Sequence, residues 1–226
     1  MQAALIYSRT RDVTSVDVVA SKQYKAPQHV ASCVARPRGA VGEVYIEYGG
    51  AVGWGVPKRE VLSDISVIVL PAGKGIGNST LQSTIQLAKN NGNPGLPKRA
   101  QAAMACAPDG HVWIYGGRKD IGGPNMTVWE PSSDLTSMAL SEGADGKIVV
   151  SGVRVLSQQD TSSKQAAAGS LWPSERYGAG LVFVPPTVQG GGGSLYMFGG
   201  LAGTGSMQES DFEGQNKSTL PPGDTW

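Results

Sequence analysis

The hydrophobic residues of this chain fall in many short runs that glycines and prolines separate. Three runs are small or apolar at nearly every position: Ala31 to Ala35, Ala100 to Ala107 and Gly178 to Val184. A strand that is apolar on both sides is packed on both sides, so these runs predict buried strands. No run reaches the roughly 18 residues that a membrane-spanning helix needs. The pattern therefore predicts an all-β fold.

A second, bulkier strand follows each buried run after a proline turn. Its aromatic and branched residues are Tyr45, Ile46 and Tyr48, then Val112, Trp113 and Tyr115, then Leu195, Tyr196 and Phe198. Each copy ends in a pair of glycines, which lets the chain turn sharply or another backbone approach closely. These pairs are Gly49-Gly50, Gly116-Gly117 and Gly199-Gly200.

These three copies resemble the kelch repeat, the blade unit of a β-propeller. Arg99 and Arg176 fit the family's common arginine position, from which Gln28 departs. The resemblance implies a single kelch-like propeller region over residues 1–226, with about four to five blades. Blades are expected to start near residues 28, 98, 143 and 175, and residues 1–26 are expected to end a preceding blade. Third strands are expected at Leu62 to Val69 and Met126 to Trp129. The stretch Ile85 to Arg99 is expected to hold a fourth strand followed by a proline-marked crossing to the next blade.

The spacing of the glycine pairs is longer than the kelch period of about 50 residues. Two degenerate second strands, at Ala4 to Tyr7 and at Asp145 to Gly152, bring the mean spacing to about 48 residues, close to that period. The alternative is three blades with long inserts at Gly73 to Gln82 and Ser157 to Gly169. Both ends resemble interrupted blades, so we expect an incomplete fragment of a larger propeller or a small propeller closed by its terminal strands.

The composition of the chain argues against several classes of function. The chain has 19 Lys and Arg against 18 Asp and Glu, a net charge of +1, which argues against a nucleic-acid or anionic-membrane surface. The only histidines are His29 and His111 and the only cysteines are Cys33 and Cys106. We therefore expect no metal, no cofactor and no catalytic residue. The cysteines are expected to be small buried residues, and a disulfide between blades is left open.

The residues expected to bind a partner lie on loops of one propeller face. Aromatic and cationic side chains on loops held by a rigid scaffold are common anchors of protein recognition. The set is Trp54, Lys58, Arg59, Arg118, Lys119, Asp120 and Trp172. The leading hypothesis is a non-catalytic protein–protein interaction or scaffold module. The alternatives are a structural subunit of a large assembly, or a carbohydrate-binding or galactose-oxidase-like propeller.

Three Asn-x-Ser/Thr sequons, at Asn78, Asn125 and Asn216, lie in expected loops and are candidate N-glycosylation sites. The segment Met1 to Arg11 lacks the apolar run of a signal peptide, which slightly favours the cytoplasm. The sequons keep a secreted or extracellular location open.

Overall fold

The computed structural model of the chain describes residues 27–40, 42–53, 58–70, 80–85, 95–156, 173–186, 193–202 and 207–208. Within these ranges the regular structure consists of fifteen β-strands, so the predicted all-β class is confirmed. None of the described segments forms a helix with the length and apolar character needed to cross a lipid bilayer.

The first sheet has four antiparallel strands in the order β1-β2-β5-β6. A short two-stranded ribbon, β3 and β4, is inserted between β2 and β5. The strands are β1 (Ala31–Ala35), β2 (Glu43–Tyr48), β3 (Ala51–Val52), β4 (Glu60–Val61), β5 (Ile65–Leu70) and β6 (Thr80–Ile85).

The second sheet repeats this plan with the antiparallel order β7-β8-β11-β12. Its ribbon, β9 and β10, is inserted between β8 and β11, and a short strand, β15, pairs with β10. The strands are β7 (Ala103–Cys106), β8 (His111–Tyr115), β9 (Arg118–Asp120), β10 (Val128–Pro131), β11 (Leu135–Glu142), β12 (Ile148–Leu156) and β15 (Met207–Gln208).

The third sheet pairs β13 (Arg176–Val184) with β14 (Ser194–Ala202). One side of it packs on the second sheet, where the ring of Phe183 stacks on that of Trp113 with centroids 4.9 Å apart. The opposite side is exposed and apolar, and its large residues are Val182, Val184, Tyr196 and Phe198.

The junctions between successive sheets use the same backbone hydrogen bonds. The N–H of Gly50 donates to the carbonyl oxygen of Arg99 (2.7 Å), and the N–H of Gly117 donates to that of Arg176 (2.9 Å). A Cβ atom built on Gly49 would lie 2.3 Å from the carbonyl oxygen of Arg99. A Cβ atom built on Gly116 would lie 2.3 Å from that of Arg176. The pairs Gly49-Gly50 and Gly116-Gly117 are therefore required by close backbone approach as well as by positive φ.

A second set of bonds links residues near the beginnings of β1, β7 and β13. The N–H of Gln101 donates to the carbonyl oxygen of His29, and the N–H of Gly178 donates to that of Gln101, each at 2.8 Å. All three residues have positive φ, at 59°, 56° and 65°. The three sheets are thus connected in series at equivalent positions.

The main core lies between the first two sheets. Ile46, Tyr48 and Val67 from the first sheet join Ile114 and Met138 from the second in one buried cluster.

Beside this core, a disulfide between Cys33 and Cys106 connects β1 to β7, with Cα atoms 5.9 Å apart. The cysteines are therefore bonded rather than simply small buried residues, because β1 and β7 lie next to each other at the junction.

Two strand assignments made from the sequence are wrong in the second sheet. The residues Met126 to Trp129 do not form its third strand, because they enter the ribbon strand β10, while β11 occupies the third position. The segment Asp145 to Gly152 is not a degenerate second strand, since it forms a turn and the first half of the fourth strand, β12. The blade start expected near residue 143 falls in this β11–β12 turn.

Two further assignments need adjustment in the first sheet. The fourth strand is β6, which ends at Ile85 instead of beginning there, and residues 86–94 lie outside the described part of the chain. Gln28 forms an isolated β-bridge with Ala51, and Ala100 forms the corresponding bridge with Arg118 in the next sheet. Gln28 is therefore equivalent to Ala100. The position equivalent to Arg99 is consequently occupied by Pro27.

Candidate functional site

A cleft of about 580 Å³ lies where the ribbons of the first two sheets meet. The β4 region forms one wall, β9 and the loop after it form the other, and a residue from the segment between the sheets completes the lining. We call it the ribbon cleft; it is lined by Lys58, Arg59, Glu60, Val61, Lys98, Lys119, Asp120 and Gly122.

Four of the seven residues predicted to bind a partner line this cleft: Lys58, Arg59, Lys119 and Asp120. The structure therefore brings together positions from two separate loops. Trp54 and Trp172, the two predicted aromatic anchors, lie outside the described residues.

Asp120 organises one wall of the cleft. Its Oδ1 accepts hydrogen bonds from the N–H groups of Gly122 (2.9 Å) and Val128 (3.1 Å), and its Oδ2 pairs with the ammonium group of Lys58. Burial raises the pKa of this carboxyl, but the bonds from Lys58, Gly122 and Val128 outweigh burial and hold the pKa below its ordinary value. Asp120 is thus a fixed anion that ties the two ribbons together.

The lysines of the cleft differ in their surroundings. Lys58 is held by Asp120 and also lies 3.4 Å from the carbonyl oxygen of Gly122. Lys119 forms an ion pair with Glu130 on the neighbouring strand. Lys98 is exposed and has no acidic partner among the described residues, so its charge is available to a ligand.

The two predicted arginine anchors are buried, which corrects their expected role as exposed contacts. Arg59 is 7% exposed and its N–H donates to the hydroxyl of Thr127 (2.7 Å). Arg118 is 6% exposed, and its guanidinium carbon lies 4.6 Å from the ring centroid of Trp129 and 5.0 Å from that of Tyr177. Cation–π contacts with two rings fix Arg118 inside the ribbon region.

The electrostatic balance of the cleft is positive. Its lining contains four cationic side chains and two anionic ones, a difference of +2 at neutral pH. Sequence analysis missed Lys98, which comes from the segment between the sheets. The only sequence feature that could have identified Lys98 is its position directly before Arg99.

The two motif arginines are structural. The buried guanidinium of Arg99 pairs with Asp134. That of Arg176 donates to the carbonyl oxygen of Gly199 (3.1 Å) and the hydroxyl of Ser174 (2.8 Å). Both arginines therefore hold the segments between sheets and do not reach the ribbon cleft.

Histidine and cysteine form no metal centre in the part of the chain that the structure describes, where no group of three His, Cys, Asp or Glu residues could hold an ion. His29 lies near two arginines. Its pKa is lowered by partial burial and by the charges of Arg118 and Arg59. His111 instead pairs with Asp109 in the β7–β8 turn, at 2.8 Å.

Of the three sequons, only Asn125 lies in the described part of the chain, where it is exposed in a turn. Asn78 and Asn216 fall outside it. Comparison of the sequence with protein-family models and with curated proteins found no match.

Proposed function

We propose that the chain is a non-catalytic protein-interaction module of the kelch-like β-propeller type. Its three sheets are consecutive blades, and the ribbon cleft binds an acidic segment of a partner protein. The observation that carries this proposal is the convergence of cationic residues from two successive ribbons on one open cleft.

The repeated junctions support the propeller arrangement. Each sheet is joined to the next by a glycine N–H bonded to an arginine carbonyl, and by a bond between residues near the beginnings of their first strands. A junction that recurs with the same geometry rotates each unit by a similar amount relative to the last. Repeated rotation of four-stranded sheets is the plan of a propeller.

The charge and shape of the cleft support an acidic peptide as the ligand. Carboxylate groups form strong charge-assisted hydrogen bonds with lysine and arginine. An open cleft accommodates an extended segment, and the ion pairs of Lys58 and Lys119 hold two of its cations in place before binding. Lys98 supplies a positive charge that no acidic side chain among the described residues neutralises, while Lys58 and Lys119 are already paired with Asp120 and Glu130.

Charge reversal of Lys98 tests the proposal. Partner proteins are captured from an extract of the source cells with the immobilised chain, and the affinity of each is then measured by titration calorimetry. Lys98→Glu is expected to weaken binding about tenfold, the effect of losing roughly 1.4 kcal/mol of charge interaction.

The matched control is Lys147→Glu, which changes the same charge on the exposed β11–β12 turn, away from the cleft. Its affinity is expected to equal that of the unmodified chain. Equal binding by Lys98→Glu and the unmodified chain would show that the ribbon cleft does not contact the partner.

A further inference from the structure

The loop between β9 and β10, residues 121–127, has a fixed conformation and projects from the protein. Asp120 accepts hydrogen bonds at both ends of it, from Gly122 and Val128, and the N–H of Ile121 donates to the carbonyl oxygen of Val128 (2.8 Å). We call it the Asn125 loop, because the exposed Asn125 lies at its turn.

Two large apolar side chains are exposed in the same loop. Ile121 is 49% exposed and Met126 is 40% exposed, while Gly123 has open space where a side chain would stand. Covering these two side chains would remove apolar surface from water, which is favourable. Asn125 lies next to Met126, so a bulky group attached to its side chain would cover part of this apolar surface.

The disulfide provides an independent indication of the environment in which the chain matures. Disulfides form and persist in oxidising compartments and are rare in the reducing cytosol. Cys33 and Cys106 form such a bond between two strands of the core region. N-glycosylation of Asn-x-Ser/Thr sequons takes place along the same secretory route.

We infer that Asn125 carries an N-linked glycan and that the glycan is added before the Asn125 loop folds. The co-reactant is an oligosaccharide linked to a lipid pyrophosphate. The amide nitrogen of Asn125 forms a bond to the anomeric carbon of the first sugar, and the bond from that carbon to the pyrophosphate oxygen breaks. The lipid pyrophosphate leaves with the bonding electron pair, and the amide nitrogen loses one proton to a base.

The order of events follows from the position of Thr127. A sequon requires a hydroxyl two residues after the asparagine, so the hydroxyl must be accessible when the sequon is recognised. In the folded chain Thr127 is 0% exposed, and its Oγ1 accepts a hydrogen bond from the N–H of Arg59 (2.7 Å). The folded loop therefore presents the asparagine but hides the hydroxyl.

Site-resolved mass spectrometry of the chain secreted from eukaryotic cells tests the modification. Most Asn125 peptides are expected to carry a glycan, and glycosidase treatment is expected to leave aspartate at that position. Asn125→Gln should remove this signal, and Thr127→Ser should keep it, because serine preserves both the sequon and the hydroxyl. An unmodified Asn125 in the secreted chain would overturn the inference.

A separate experiment tests whether glycosylation precedes the folding of the Asn125 loop. The unglycosylated chain is produced in bacteria and given to the purified transferase with its lipid-linked donor, either folded and oxidised or reduced in urea and diluted at the moment of mixing. Modification of Asn125 is expected to be at least tenfold lower in the folded sample. Equal modification of the two samples would contradict the proposed order.

Discussion

The hydroxyl of Tyr48 donates a hydrogen bond to the carbonyl oxygen of Pro97, in the segment that leads into the second sheet. Tyr115 makes the equivalent bond to Pro173 (2.6 Å) before the third sheet. Burial raises the pKa of both tyrosines well above the ordinary value, so each hydroxyl stays protonated and remains a donor. Phe198 holds the corresponding position in the third sheet and has no hydroxyl to donate.

Removal of either hydroxyl should loosen the junction that it spans. Tyr48→Phe and Tyr115→Phe are each expected to lower the free energy of unfolding by about 1 kcal/mol, because a proline carbonyl loses its donor. Urea denaturation followed by tryptophan fluorescence measures the change. Tyr196→Phe is the control, since this tyrosine is exposed, and it should have no effect. A similar loss in all three variants would contradict the assigned role of the two bonds.

Gly49 and Gly116, the first glycines of the first two pairs, should be the least tolerant of a side chain. Gly116→Ala is expected to cost about 3 kcal/mol or more, because its Cβ would meet the Arg176 oxygen and its φ is +64°. Gly152→Ala has a positive φ and open space, so about 1 kcal/mol is expected. Gly123→Ala has neither constraint and should change stability by less than about 0.5 kcal/mol. Thermal unfolding of the three variants checks this order, and any other ranking would count against the backbone contact as the cause.

Reduction of the disulfide should destabilise the chain strongly. Cys33 and Cys106 are separated by 73 residues, and closing a loop of that length contributes about 4 kcal/mol by restricting the unfolded chain. The double variant Cys33→Ala and Cys106→Ala should unfold at the same urea concentration as the reduced chain. The chain with the bond intact should unfold at a clearly higher concentration. Identical midpoints with and without reductant would show that the bond adds nothing to stability.

Protonation of His29 should oppose folding. Its pKa in the folded chain lies below the ordinary value of 6.5 because of burial and the charges of Arg118 and Arg59. The unfolded chain therefore binds a proton first as the pH falls below about 6.5. The contribution of neutral His29 to stability is complete above that pH and is lost as the pH falls through the folded-state pKa.

His29→Asn isolates this effect, because asparagine adopts positive φ readily and lacks a titrating ring. Urea denaturation between pH 7 and pH 5 should show a smaller loss of stability in this variant than in the unmodified chain. Parallel pH profiles would rule out His29 as the titrating group.

The repeated strand and glycine pair could be predicted from the sequence because their causes are local. A run of bulky residues that ends in two glycines indicates both the buried strand and the sharp turn after it. The third strand of the second sheet was missed, since β11 mixes apolar residues with serine and threonine and has no continuous apolar run. A recurring signal marks it nevertheless: Ser133-Asp134-Leu135 repeats Ser63-Asp64-Ile65, and each aspartate carbonyl accepts a bond from the first glycine of a pair.

The burial of Arg59 and Arg118 could not be predicted in the same way. Both lie in charged, polar segments that resemble exposed loops in the sequence. Their burial depends on Thr127, Trp129 and Tyr177, which reach them only after the ribbons and the third sheet come together. For the same reason the sequence indicated four of the six charged residues of the ribbon cleft but not which of them a ligand can touch.

The disulfide between β1 and β7 closes a covalent loop of the chain, and this loop contains β2 to β6. A protease that cuts the backbone once between residues 33 and 106 would therefore release no fragment, and the nicked molecule would keep its mass apart from one added water. Separation into two pieces would require a reductant as well as the cut.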